Sequence, residues 1–160
     1  VLLLGKKTAT IARITSYNTP NDTSIILRKW VTYLSDNNFA FPEVVASQMV
    51  HETDFFASVV FKENHNGFGM KHNGRGYSLG EKNGHAYYRN FKDSLKDYLA
   101  YQNKMLFYAA KQNRYPHTNE EYMALLEDLP QFGVKKYVRY ATDPNYVARL
   151  KKRLEQLKNM

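Results

Sequence analysis

Phe41-Pro42-Glu43-Val44-Val45-Ala46-Ser47-Gln48-Met49-Val50-His51-Glu52-Thr53 is the stretch on which the fold of this chain turns. Pro42 suits the first turn of a helix, where its missing N–H would lack a partner anyway, and Glu43 complements the positive helix end. From Glu43 to Glu52 the segment is apolar nearly all round, through Val44, Val45, Ala46, Met49 and Val50. A helix with so little polar face belongs at the centre of a domain. At about 100° per residue, Val45, Met49 and Glu52 share one side. The expectation is a buried central helix that ends in a glutamate.

That glutamate needs a reason. Burial and the negative end of the helix dipole would both raise its pKa, which a general acid working near neutral pH requires. The plainer alternative is a helix-end glutamate pointing into solvent.

Upstream, Ile26, Leu27, Trp30, Val31 and Leu34 form a stripe that predicts an amphipathic helix from Thr23 to Asp36, stopping in Asn37-Asn38. Residues 1–22 lack a helical period and read as an N-terminal arm ahead of one domain over 23–160. Downstream, Asn64 to Gly84 holds six of the eight glycines, as loops or a small hairpin would. Helical spacing resumes at Asp93 and runs to about Asn113. Thr118-Asn119-Glu120-Glu121 is a capping-box pattern that opens a helix through Leu129, ended by Pro130. A further helical segment is expected over Val134 to Tyr140. Thr142 or Asp143 then caps a last helix opened by Pro144, with Tyr146, Val147, Leu150, Leu154 and Leu157 as its apolar face. The reading is one mostly α domain, of α+β class, with a Gly-rich interruption.

The 160 residues carry 23 Lys+Arg against 15 Asp+Glu, a formal charge of +8, and 43% are hydrophobic. Such a chain is globular and long enough to bury a core without staples. Zero cysteines exclude a disulfide framework, a thiol nucleophile and a thiolate zinc site. No apolar run approaches the ~18 residues of a membrane span. The start at Val1 reads as a processed product or a piece of a larger parent chain. The positive charge, with 13 Tyr and 9 Phe, suits a polyanionic or sugar-like partner: nucleic acid, a membrane surface or bacterial cell wall. No nucleic-acid motif supports the first of these, so nucleic acid is not expected as a partner. His51, His65, His72 and His85 cluster in sequence, but no helical i, i+4 pair and no HExxH occurs, so no metal is expected. GxGxxG is absent and no cofactor is expected. Tyr87-Tyr88 either stack on a ligand or fill the core.

Four segments, in order, resemble the glucosaminidase domains of glycoside hydrolase family 73, bacterial and phage enzymes that cut the sugar backbone of peptidoglycan. The Phe41–Thr53 stretch is similar to the family helix that ends in its catalytic glutamate. Asn66-Gly67-Phe68-Gly69-Met70-Lys71 looks like the N-L-F-G-I/M-K segment. Tyr88-Arg89-Asn90-Phe91-Lys92-Asp93-Ser94-Leu95-Lys96-Asp97-Tyr98 is similar to a third segment, and Tyr140-Ala141-Thr142-Asp143-Pro144-Asn145-Tyr146 to the closing Y-A-T-D-P-x-Y. Together these cover about residues 24 to 157. The common Gly-Trp after the glutamate is Asp54-Phe55 here, and a usual serine is Asn90.

The resemblance implies a lysozyme-like, two-lobed catalytic domain with a loop or small β-hairpin on the groove rim. It implies hydrolysis of the β-1,4 bond after N-acetylglucosamine, with Glu52 as general acid and Tyr88 close to the sugar. Asn66, Phe68 and Tyr87 would be groove residues that bind substrate. A glycosidase ordinarily needs a second group, a base about 6.5–9.5 Å from the acid or a nucleophile at about 5 Å. Glu81, where the family often carries a hairpin glutamate, is the first candidate, against the reading of an exposed loop residue; Asp54 is a lesser one. Substrate-assisted catalysis by the N-acetyl group would make Glu81 less important. A muramidase or lytic transglycosylase on the same scaffold is the nearest alternative, and a non-catalytic wall-binding or phage virion module the next. The implied partner is peptidoglycan, met at the cell wall by a bacterial autolysin or a phage lysis or tail enzyme, with a lean towards phage.

Overall fold

The computed structural model describes residues 23–130 and 139–158. These form six helices and one two-stranded antiparallel sheet: α1 Thr23–Asp36, α2 Pro42–Glu52, α3 Val59–Asn64, β1 Gly80–Lys82, β2 His85–Tyr87, α4 Phe91–Lys111, α5 Asn119–Glu127 and α6 Tyr146–Lys158. The mostly helical expectation with a small hairpin holds.

Helix α2 is the centre. Pro42 opens it after Phe41, which sits in the left-handed region at φ 52, and all seven residues from Val44 to Val50 are buried. It packs against α1, α5 and α6. Val45, Ala46, Met49 and Val50 join an apolar cluster with Trp30, Leu34, Phe68 and Tyr98. Val44 joins a second cluster with Met105, Tyr122, Leu126 and Leu150. A side chain of this size contributes about 1.5–3 kcal/mol when fully buried. The near absence of a polar face on α2 is therefore what lets one helix serve two apolar clusters.

The remaining boundaries follow from capping. α1 spans the expected residues. α4 starts two residues ahead of its apolar period because the Asn90 side chain accepts from the Asp93 amide at 2.9 Å. Thr118 caps α5 by accepting from the Glu121 amide at 3.1 Å, and Glu121 Oε2 accepts from the His117 amide at 2.6 Å. α5 stops at Glu127, short of Leu129. Asp143 and Pro144 precede α6, which begins at Tyr146, and Asp143 accepts from the Asn145 amide at 2.9 Å. The six-residue α3 is an element that apolar spacing did not suggest; Ser58 caps it, accepting from the Phe61 amide at 3.1 Å. The helix expected over Val134 to Tyr140 falls mainly on residues outside those described, and Arg139 and Tyr140 are not helical. The proposed arm, residues 1–22, also lies outside the described residues.

The hairpin pairs Gly80 with Tyr87, Glu81 with Ala86 and Lys82 with His85. Two buried asparagines fasten it. Asn64 Nδ2 donates to the Ala86 carbonyl at 3.2 Å, and Asn66 Nδ2 donates to the same carbonyl at 2.9 Å. The hairpin is thereby locked to the loop that follows α3.

Candidate active site

Glu52 occupies the last position of α2 and is partly buried. Burial pushes its carboxyl pKa up from the ordinary 4.5 to about 7, and a hydrogen bond from the Tyr146 hydroxyl opposes that rise only in part. The acid is thus partly protonated at neutral pH, as a proton donor must be. Gly69 closes over it. A Cβ added at Gly69 would lie 2.5 Å from Glu52 Oε2, and φ there is +65, so the close approach and the backbone both call for glycine.

A buried hydrogen-bond chain stands behind this carboxyl. Gln48, one turn before Glu52 on the same helix face, donates through Nε2 to the Tyr146 hydroxyl oxygen at 3.2 Å. The Tyr98 hydroxyl donates to Gln48 Oε1. Its oxygen lies 2.8 Å from the Tyr122 hydroxyl, whose oxygen accepts from Gln102 Nε2 at 3.0 Å. Because the Tyr98 proton is spent on Gln48, Tyr122 is the donor in its pair. Every donor from Gln102 through Tyr122, Tyr98, Gln48 and Tyr146 therefore points towards Glu52. Aligned chains of this kind polarise one another. Burial holds Tyr98 and Tyr146 well above the ordinary phenol pKa, so both remain protonated donors.

Tyr140 completes this wall. Its ring stacks on Tyr146 at 5.8 Å, and its hydroxyl donates to the Phe68 carbonyl at 2.6 Å. His51 meets the other side of Tyr146, with ring centroids 5.4 Å apart, and burial together with Arg153 and Arg149 lowers its pKa. After Glu52 the chain turns through Asp54, Phe55 and Phe56 with φ of 47, 55 and 66. Asp54 stands where the resembling family has glycine, and Asp is among the residues that tolerate this region. Phe56 is buried, and the Arg153 guanidinium lies 4.4 Å from the Phe55 ring centroid, which holds the turn.

The other sequence-derived candidates fall into distinct places. Glu81 is exposed on β1, opposite Ala86. Tyr87 is half-buried, with its ring against Gly80. Asn66 is 1% exposed and fully engaged: Oδ1 accepts from the Phe68 and Met70 amides at 3.1 and 3.3 Å, and Nδ2 donates to the Met70 and Ala86 carbonyls, both at 2.9 Å. An amide side chain has no further hydrogen-bonding capacity to offer a sugar. Phe68 is fully buried with its ring centroid 4.4 Å from that of Tyr98. Tyr88 is 2% exposed, and its hydroxyl donates to Asp97 Oδ2 at 2.5 Å. Asp97 also receives Arg75 Nε at 2.5 Å, so Tyr88 acts on the Gly-rich loop through Asp97. Asp54 is exposed in the turn just after Glu52.

The histidines disperse: His72 Nδ1 pairs with Ser78 Oγ at 2.8 Å and His85 Nδ1 with the Asn83 carbonyl at 3.0 Å. Among the described residues no group of three His, Cys, Asp or Glu gathers as metal ligands would. Four residues around the acid, Gln48, Gly69, Tyr140 and Tyr146, carried no functional role in the sequence reading, and neither did Arg75, which pairs with Asp97 farther off. The i, i+4 offset of Gln48 from Glu52 was a signal for the first. The tyrosines of the closing segment gave no local signal of their meeting with α2.

The glucosaminidase family model, described as mannosyl-glycoprotein endo-beta-N-acetylglucosaminidase, matches residues 29–159. The chain belongs to the glucosaminidase family. It is therefore a glycoside hydrolase. No sequence among the curated proteins matches it. Among solved structures, the glucosaminidase chain is similar to the catalytic domain of the autolysin Auto from Listeria monocytogenes, with a TM-score of 0.54 and 20% identity over 99% of this chain and 95% of that one. At that identity the likeness is one of fold. The lysozyme-like architecture implied by the motifs thus has a counterpart in a solved structure.

Proposed function

We propose that this glucosaminidase hydrolyses bacterial peptidoglycan at the β-1,4 bond after N-acetylglucosamine, with Glu52 as the proton donor. The observation that carries the reading is the Glu52 carboxyl itself, raised to about 7 at the end of the central helix and held between Gly69 and the Tyr146 hydroxyl. A carboxylic acid near that value can protonate a leaving glycosidic oxygen at neutral pH and be reprotonated afterwards. The +8 charge supports a polyanionic wall as substrate.

Glu81, exposed on the hairpin, is the proposed second carboxylate, reaching the sugar as substrate enters. Tyr87, half-buried on β2 opposite Gly80 and accepting from the Leu79 amide, is the proposed ring for stacking on a sugar. Tyr88, Asn66 and Phe68 serve as positioning residues: Tyr88 through Asp97 and Arg75, Asn66 through the loop that carries Gly69, and Phe68 through its carbonyl to Tyr140. The proposed place of action is the cell wall, for an enzyme of bacterial or phage origin. No helix among the described residues is long and apolar enough to cross a membrane.

The test is Glu52→Gln assayed on purified walls. Loss of hydrolysis with an unchanged circular dichroism spectrum is expected; near-wild-type hydrolysis would remove Glu52 from the mechanism.

A further inference from the structure

We propose that a cleft two aromatic rings from Glu52 is an anion subsite that takes a carboxylate on the side branch of the muramyl sugar. The inference rests on the wall-glycan reading above. The cleft has a volume of about 290 Å³ and is lined by Arg75, Tyr101, Lys104 and Tyr108, with Leu129 and Pro130 among its apolar walls. No described acidic side chain lines it.

Arg75 is a preorganised donor. Its Nε and Nη2 engage both oxygens of buried Asp97, at 2.5 and 3.4 Å, and Tyr88 fixes that carboxylate from the other side. Nη1 makes no hydrogen bond among the described residues, and the side chain keeps 24% of its surface exposed. Orientation of the planar fork is thus settled by Asp97, and a pair of N–H groups is left for a second anion. Lys104 is exposed and leans on the Tyr108 ring, its Nζ 5.9 Å from the centroid. The buried Tyr101 hydroxyl has no hydrogen-bond partner among the described residues. An unpaired buried hydroxyl beside Arg75 and Lys104 calls for a partner that the described residues do not supply.

Position ties the cleft to the acid. The Tyr101 ring lies 5.8 Å from that of Tyr140, which stacks at 5.8 Å on Tyr146, the donor to Glu52. The cleft is therefore separated from the acid by the packed rings of Tyr140 and Tyr146, and a ligand in it would belong to another part of the glycan than the scissile bond. Neutral sugar hydroxyls have no need of two cations. The anion that recurs beside the sugars of this polymer is a carboxylate of the muramyl branch, on the peptide stem where one is attached and on the lactyl group where the stem has been removed. Tyr108, Leu129 and Pro130 offer apolar contact to the methyl groups that accompany both.

The experiment compares wild type and Lys104→Glu, a change at an exposed position, on three soluble glycans. These are stem-bearing wall glycan, amidase-stripped wall glycan with free lactyl acids, and neutral chitin oligosaccharide. The ratio of kcat/KM for stem-bearing over neutral glycan is expected to fall at least about tenfold in the variant, mainly through KM, and the wild-type ratio to shrink with added salt. An equal fall on stripped glycan shows that the subsite accepts the lactyl carboxylate freed there as readily as a stem carboxylate, and a fall on stem-bearing glycan alone assigns the stem. An unchanged ratio with full wall activity overturns the subsite alone, as does an equal loss on all three glycans. Wild-type cleavage of chitin oligosaccharide with neither wall glycan cut overturns the wall-glycan reading itself.

Discussion

The Glu52→Gln exchange is expected to stabilise the protein at alkaline pH while removing its activity. In the folded chain the carboxyl pKa stands at about 7 against an ordinary 4.5, because burial outweighs the hydrogen bond from Tyr146. A folded-state pKa above the unfolded one means that the folded protein holds this proton more tightly. The linked stability is fully present below about pH 4.5 and is lost as pH rises to about 7, above which it levels off. At ~1.4 kcal/mol per tenfold difference in proton affinity, ionising Glu52 costs the folded state about 3 kcal/mol. The glutamine amide has nearly the same shape, can still accept from Tyr146, and carries no charge at any pH. Urea unfolding of both proteins should therefore give nearly equal stabilities at pH 4, with the variant ahead by up to about 3 kcal/mol at pH 8. A difference that is the same at pH 4 and pH 8 would refute the burial argument, whatever the variant did to catalysis.

Three further outcomes follow from the same geometry. Tyr146→Phe removes a donor to the carboxylate, so the Glu52 pKa rises and the alkaline limb of the kcat/KM–pH profile moves up by roughly one unit; a downward move would contradict the donor role. Gly69→Ala forces a Cβ into the space of Glu52 Oε2 and strains a backbone at φ +65; displacing the acid by about 1 Å costs on the order of a hundredfold in kcat, with KM little changed. Asn66→Ala strands buried amides and carbonyls of the Gly69 loop, and chemical denaturation should show a loss above about 2 kcal/mol, where a sugar-binding role alone would raise KM and leave stability intact.

Apolar spacing was enough to read the helices, since α1, α2, α4 and α6 each bury a stripe or a whole circumference. It was silent on α3, which is six residues long and depends on the Ser58 cap. Glu52 stood out in the sequence as the acid that closes a nearly all-apolar helix and a family motif, and the fold places its carboxyl partly buried at that helix end. Asn66, Phe68 and Tyr88 were singled out by their motifs, yet each side chain is spent inside the protein, on loop amides, on Tyr98 and on Asp97. A motif marks where residues are required, and a structural requirement leaves the same mark as a chemical one. Tyr140 and Tyr146 escaped assignment for a different reason. Tyr146 meets Glu52 because α6 packs on α2, about ninety residues away in sequence, and Tyr140 joins by stacking on Tyr146; no local period encodes such contacts.

The central claim is tested most directly by the sugar ends that the enzyme leaves. Purified peptidoglycan is digested, the products are reduced with borohydride, and the reduced ends are identified by mass spectrometry. The account predicts reduced N-acetylglucosamine ends, absent when Glu52→Gln replaces the wild type. Reduced muramic ends or anhydro-muramic ends would contradict the assigned bond, and wild-type digests with no new ends would contradict the proposed substrate.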